Sequence, residues 1–227
     1  STIKNTTLDA CSAACSDDKL CRAFTFNEKA KWCFLKGAVG TETAFEGATS
    51  GKVDPKAADD LANERVAELP FPAQDLVYYA TTFAQQLATT DIPPKNLTYD
   101  DLVKAGDDAV ATGNALAANV SYRQALALNR NDPALWLKLT DVQLERADAD
   151  LANNNSSSAY DFAQNSTYSA VNAFLLSDSV ADRAKALARL AAGLERRQMW
   201  RESISTYRTS LALVDDAGLQ GRLDQVV

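Results

Sequence analysis

Apolar and polar positions follow two rhythms along this chain, and the change falls near Val53. Before it, Cys21-Arg22-Ala23-Phe24-Thr25-Phe26 alternates with period two, and Trp32-Cys33-Phe34-Leu35 resumes after the turn Asn27-Glu28-Lys29. That pattern predicts two antiparallel strands. Upstream, Thr7-Leu8-Asp9 opens a short helix with Thr7 as its N-cap. Beyond Val53 the background turns rich in Ala and Leu, and apolar residues recur at three and four, the period of helices. One helix is expected from Pro55 to about Leu69, broken by Pro70-Phe71-Pro72. Leu76, Tyr79, Ala80, Phe83 and Leu87 form the apolar stripe of the next, which stops before Ile92-Pro93-Pro94. Thr98 with Asp101 predicts a capping box, Asp standing in for the usual Glu.

All four cysteines, Cys11, Cys15, Cys21 and Cys33, lie within 23 residues, and the rest of the chain has none. Cys11 and Cys15 are four apart, so both sulfurs leave one helical face and point at whatever the helix packs on. Parallel vectors disfavour a bond between those two, which leaves two pairings. A module of about 50 residues is too small to be secure on apolar burial alone, and two structural disulfides would each contribute on the order of 2–3.5 kcal/mol. The competing reading is a zinc site with four cysteine ligands, although Cys21 and Cys33 lack the close spacing of a zinc ribbon's second pair.

Leu8-Asp9-Ala10-Cys11-Ser12-Ala13-Ala14-Cys15, Cys21-Arg22-Ala23-Phe24-Thr25-Phe26-Asn27 and Trp32-Cys33-Phe34-Leu35-Lys36 together resemble the PAN/apple domains. The resemblance implies disulfides Cys11–Cys33 and Cys15–Cys21, a helix packed on an antiparallel sheet, and an extracellular or envelope module that binds proteins or carbohydrates. It departs from the family at the start, where only Ser1 to Thr6 remain for a strand expected ahead of the helix.

Farther on, Leu102-x2-Ala105-Gly106-x2-Ala109 is followed by Ala118-x3-Tyr122-x2-Ala125, small residues placed where two helices pack closely. Trp136 and Leu139 restart the pattern 34 residues after Leu102. Its second helix is displaced by the insert Asn153-Asn154-Asn155-Ser156-Ser157-Ser158 and resumes as Ala163-x6-Ala170. A third copy runs Leu187-x2-Leu190-Ala191-x2-Leu194, then Trp200-x2-Ser203-x3-Tyr207-x2-Ser210. These residues resemble tetratricopeptide repeats, and the segment from Asp216 to Val227 reads as one more helix. A PAN-like module followed by Ala-rich helices is also similar to the N-terminal region of bacterial alpha-2-macroglobulin-like proteins, protease traps whose bait region and thioester lie elsewhere in the chain.

The expected architecture is therefore a small α+β disulfide-bonded domain over 1–52, a helical linker or hairpin over 53–95, and an all-α TPR-like solenoid over 96–227, mainly α overall. Across 227 residues, 46% are hydrophobic and 23% charged, ordinary for a globular protein. There is no histidine, which removes Ser-His-Asp and Cys-His nucleophiles, His-ligated zinc and imidazole acid/base work. The net charge of −7 is uneven, with −8 on residues 53–227, and repels phosphate backbones and anionic headgroups. No stretch approaches the roughly 20 apolar residues of a membrane helix, and the opening Ser1-Thr2-Ile3-Lys4 reads as a mature fragment.

Adjacent acids such as Asp59-Asp60, Asp107-Asp108 and Asp215-Asp216 are expected to complement helix dipoles rather than to catalyse, so an acidic-residue hydrolase is disfavoured and no cofactor or metal is expected. Trp32, Trp136 and Trp200 are expected in the core. Six Asn-x-Ser/Thr sequons occur, of which Asn119 falls inside a helix. The candidate interaction residues are Arg22 on the first module and Asp107, Asp141, Lys185 and Glu195 on the expected concave face of the helices. The function expected is protein recognition, with a protease or another envelope protein as partner, in a periplasmic or secreted setting. A carbohydrate contacted by Arg22 and nearby aromatics is the alternative.

Overall fold

The computed structural model of the protein describes residues 2–18, 21–36, 39, 44–52 and 65–227. Its first part is one helix against a four-stranded antiparallel sheet. Strand β1 (Thr2–Lys4) precedes helix α1 (Leu8–Asp17), and β2 (Ala23–Asn27), β3 (Trp32–Lys36) and β4 (Ala48–Lys52) follow, in the sheet order β1-β3-β2-β4. The residues ahead of the helix thus do supply a strand, pairing Ile3 with Cys33. Thr7 caps α1 as expected, its side chain accepting from the Ala10 amide.

Phe24 and Phe26 turn inward beside Leu35 and all four cysteines, the small core this module can bury. Opposite Phe24 stands Gly51, where an added Cβ would come within 2.4 Å of the ring. Only glycine lets β4 pair this closely over that aromatic. Disulfides join Cys11 to Cys33 and Cys15 to Cys21, which uses the thiolates that zinc would need and leaves no free cysteine among the described residues.

The expected helix from Pro55 falls mostly outside the described residues, and only 65–67 of it are seen, as helix. Arg65 there is buried and donates to the carbonyls of Phe174 and Ser177. Those are orphan acceptors at a helix end, so the cation both caps that end and ties the two segments together. Eight helices follow among the described residues: α2 (Gln74–Thr90), α3 (Tyr99–Ala111), α4 (Ala115–Leu128), α5 (Pro133–Ala152), α6 (Ser156–Leu176), α7 (Val180–Arg196), α8 (Trp200–Leu213) and α9 (Ala217–Val226). Short turns fold each of α4 to α9 back on its predecessor, α2 packs on α4 and α6, and α5 also touches α7.

The Thr98–Asp101 capping box forms in full at the start of α3. Asn155 caps α6, so Ser156, Ser157 and Ser158 open a helix instead of filling a loop. The extra residues of the second pair lengthen both helices, to 20 and 21 residues against 13 and 14 in α3 and α4.

Large apolar side chains fill one continuous core through α2 to α7, with Trp136, Leu139, Phe174, Leu187 and Leu190 fully buried. Trp136 meets the expectation of a core tryptophan, and its indole donates to the Arg130 carbonyl at 2.8 Å. Trp32 and Trp200 do not, being 38% and 48% exposed. Trp32 lies on the outer face of β3, and Trp200 opens α8 where no later element covers it. A buried polar chain runs through the core: Gln143 donates to Asn119 at 3.3 Å and accepts from Ser169 at 2.8 Å. The sequon at Asn119 is therefore committed to packing inside α4.

The first module touches the helices directly. Asp18, just past α1, pairs with Arg130 in the turn between α4 and α5, and the Asn131 amide reaches the Asp17 carbonyl at 3.5 Å. Both charged side chains of the pair are largely buried.

Candidate interaction surface

Helices α3, α5 and α7 present one charged face because each donates a residue every three or four positions. Three cross-helix ion pairs bind that face together: Lys138 to Asp107 at 2.7 Å, Arg189 to Asp141 at 3.0 Å and Arg196 to Asp148 at 2.6 Å. The first two pairs are well exposed, so each contributes at most about 1 kcal/mol, while Arg196 is more covered and grips both Asp148 oxygens. The apolar core beneath sets the spacing of the three helices, and the pairs bridge their outer face.

Between α3, α4 and α5 this face dips into a groove of about 360 Å³. Val110 and Ala111 supply an apolar wall, Tyr122 closes the inner end, and Asp107, Lys138, Asp141 and Glu145 stand around the rim. Tyr122 donates to Asp107 at 2.7 Å. Burial pushes the Asp107 carboxyl up, but the hydrogen bonds from Lys138 and Tyr122 outweigh it, and the group ends below the ordinary carboxylate value. Burial, and after it the same bond, raises the Tyr122 phenol, so it stays protonated as a donor. Glu145 is exposed and has no ion pair among the described residues, which leaves the rim negative overall.

Of the residues expected on this face, Asp107 and Asp141 are brought together in the groove. Lys185 is on α7 but does not line it, and instead pairs with Asp182 at 3.3 Å in the first turn of its own helix. Glu195 corrects the expectation. It is buried, accepts from Tyr207 at 3.0 Å and is paired with Arg222 of α9. The reason is a later element: α8 and α9 cover the part of α7 that the repeat pattern leaves open. Arg22 turns back along the chain, its guanidinium donating to the Cys21 carbonyl at 2.9 Å.

Lys138, Val142 and Glu145 were absent from the expected set, although Lys138, Asp141, Val142 and Glu145 fall at three, four and seven positions along one helix face. That spacing was the available signal. No group of acids and cysteines able to hold a metal ion occurs among the described residues, and no described helix is long and apolar enough to cross a membrane.

The first part is a helix across a disulfide-stapled antiparallel sheet, a class of small module whose bonds suggest an oxidising, extracytoplasmic setting. Residues 1–57 match the family model of the PAN domain, a module that typically mediates protein or carbohydrate interactions, and a helical region follows it. No curated protein matches the chain.

Proposed function

We propose that this chain is a non-enzymatic recognition region of a larger periplasmic or secreted protein, in which the PAN domain and the groove between α3, α4 and α5 hold a protein partner. The observation that carries the reading is the groove itself: Asp107 and Asp141 spend their carboxylates on fixed ion pairs, which suits positioning better than proton transfer, while Glu145 and the Val110–Ala111 wall remain open to a ligand. The partner segment best suited to it presents a Lys or Arg beside a small apolar side chain. We read α3–α4, α5–α6 and α7–α8 as three tetratricopeptide-like pairs. The run Cys-Arg-Ala-Phe-Thr-Phe-Asn and Trp-Cys-Phe-Leu-Lys ahead of Ala-rich helices supports an alpha-2-macroglobulin-like protease-trapping protein as the parent, with this region serving for docking.

Two experiments test the reading. An antiserum against this chain, applied to fractionated source cells with and without reductant, should mark an envelope band far above 24.5 kDa that shifts on reduction. A cytosolic band near that mass with no redox shift would overturn it. A photo-crosslinker placed at Val110 should capture a partner, and Glu145→Lys should abolish the adduct. An adduct unchanged by the charge reversal would move the binding surface elsewhere.

A further inference from the structure

A second concavity lies apart from the groove, among α2, α6, α7, α8 and the segment that enters α2. Its volume is about 280 Å³, just below the roughly 300–1,000 Å³ of sites for drug-sized ligands, so its occupant is small. Phe71, Tyr79 and Tyr168 give it aromatic walls, with Met199 and Leu194 beneath. Tyr79 belongs to the apolar stripe expected of α2, yet it is 54% exposed, its ring 6.4 Å from that of Tyr168 at an interplanar angle of 33°. Tyr78 packs edge-on with Tyr79 at 5.5 Å, and the exposed part of the Tyr79 ring lines the cleft beside the half-buried Tyr168.

The polar lining is mixed in a way that selects a ligand. Asp75 and Glu202, each in the first turn of a helix, are acceptors with no ion pair among the described residues. Arg197 adds a cationic donor to the same lining, and Gln164 a polar side chain that bonds Tyr168. The Arg197 guanidinium is held at one nitrogen by Thr167 at 3.2 Å, while its Nε is buried and has no hydrogen-bond partner among the described residues. An anionic ligand would meet Asp75 and Glu202, and a cationic one would meet Arg197. A neutral molecule that offers donors and acceptors together satisfies both sides. If it also carries a flat array of polarised C–H bonds, it can lie on the negative face of an aromatic ring.

From these groups we propose that the cleft formed by Tyr79, Tyr168, Asp75, Glu202 and Arg197 binds a neutral saccharide unit, its ring C–H face against Tyr79 and its hydroxyls shared between the two carboxylates and Arg197. This site lies on the helices and is independent of the protein groove proposed above. Each pyranose hydroxyl both donates and accepts, so it can serve a lining that holds two acids and a guanidinium.

Saturation-transfer NMR on the full chain tests it, with methyl glucoside, methyl galactoside and N-acetylglucosamine as probes and glucosamine and glucuronate as charged counterparts. At least one neutral probe should receive saturation on its ring protons more strongly than either charged sugar. Tyr79→Ala and Glu202→Gln, both at solvent-accessible positions, should each weaken that binding about tenfold or more, with circular dichroism unchanged. Trp32→Ala, on the sheet of the PAN domain, should leave it intact. No saturation of any neutral probe, equal binding of the charged sugars, or binding lost with Trp32 and retained without Tyr79 would overturn the assignment.

Discussion

The Tyr122 ring lies across Gly106 so closely that a Cβ on the glycine would sit 2.2 Å from it. The contact joins α3 to α4, and the same tyrosine carries the hydrogen bond to Asp107 at the groove. Eighty-five residues later Tyr207 packs with Ala191, and its hydroxyl likewise reaches an acid, Glu195. One small-residue and tyrosine pair thus serves two helix pairs.

Gly106→Ala sets two effects against each other. Alanine in a helix interior is favoured over glycine by about 1 kcal/mol, whereas forcing a methyl into a filled contact typically costs about 1–3 kcal/mol. With the neighbouring atoms this close the second should win, and thermal unfolding followed by circular dichroism should show a lower midpoint. A raised midpoint would mean that the ring moves aside freely.

The two disulfides should not be equal. Cys11–Cys33 spans 22 residues and Cys15–Cys21 spans 6, and the loop-entropy relation converts these to about 3.4 and about 2.2 kcal/mol. Replacing the first pair with alanines should therefore lower the urea midpoint of the PAN domain more than replacing the second. The exposed Trp32 gives a fluorescence signal for this module, taken as the difference from a Trp32→Phe variant.

Asp91, at the end of α2, receives two hydrogen bonds of 2.8 Å from the Arg123 guanidinium of α4, which also lies 5.3 Å from the Phe83 ring centroid. Burial pushes the Asp91 carboxyl up, but Arg123 and Thr90 outweigh it, and the group lies below its ordinary 3.8. A carboxylate depressed in the folded state binds fewer protons there than in the unfolded chain. Its contribution is thus full above about pH 4 and fades as pH falls through the lower folded value. Asp91→Asn should cost about 1.5–3 kcal/mol at neutral pH, with the deficit shrinking in acid. A deficit independent of pH would remove the ion pair as its cause.

Short-range chemistry was the most legible part of this sequence. Thr7 and Thr98 with Asp101 act within a few residues of themselves, so spacing located them, whereas for the four cysteines spacing left two pairings and the PAN/apple resemblance chose between them. Period also located the helices from Gln74 onward. It could not say what covers a helix from a third direction, and there the expectations departed from the structure. Glu195 reads as a surface charge on α7 until Arg222 arrives from α9, 27 residues later. Tyr79 reads as core because it shares a stripe with Phe83 and Leu87, yet its side of α2 opens into a cleft. In the groove, Lys138 and Glu145 gain meaning only once α5 is set beside α3.

The pairing of Asp18 with Arg130 has a consequence for avidity. The PAN domain is joined to the helices by the chain and again by this contact, and while the pair is made its surfaces keep one position relative to them. A ligand that engages the sheet and then the helical face meets its second site at an effective concentration set by a fixed separation rather than by linker length. Two weak contacts at the matching separation would add up to a firm hold, and ligands of any other length would gain almost nothing from the second. With the pair intact, the separation of the two surfaces is a property of the fold.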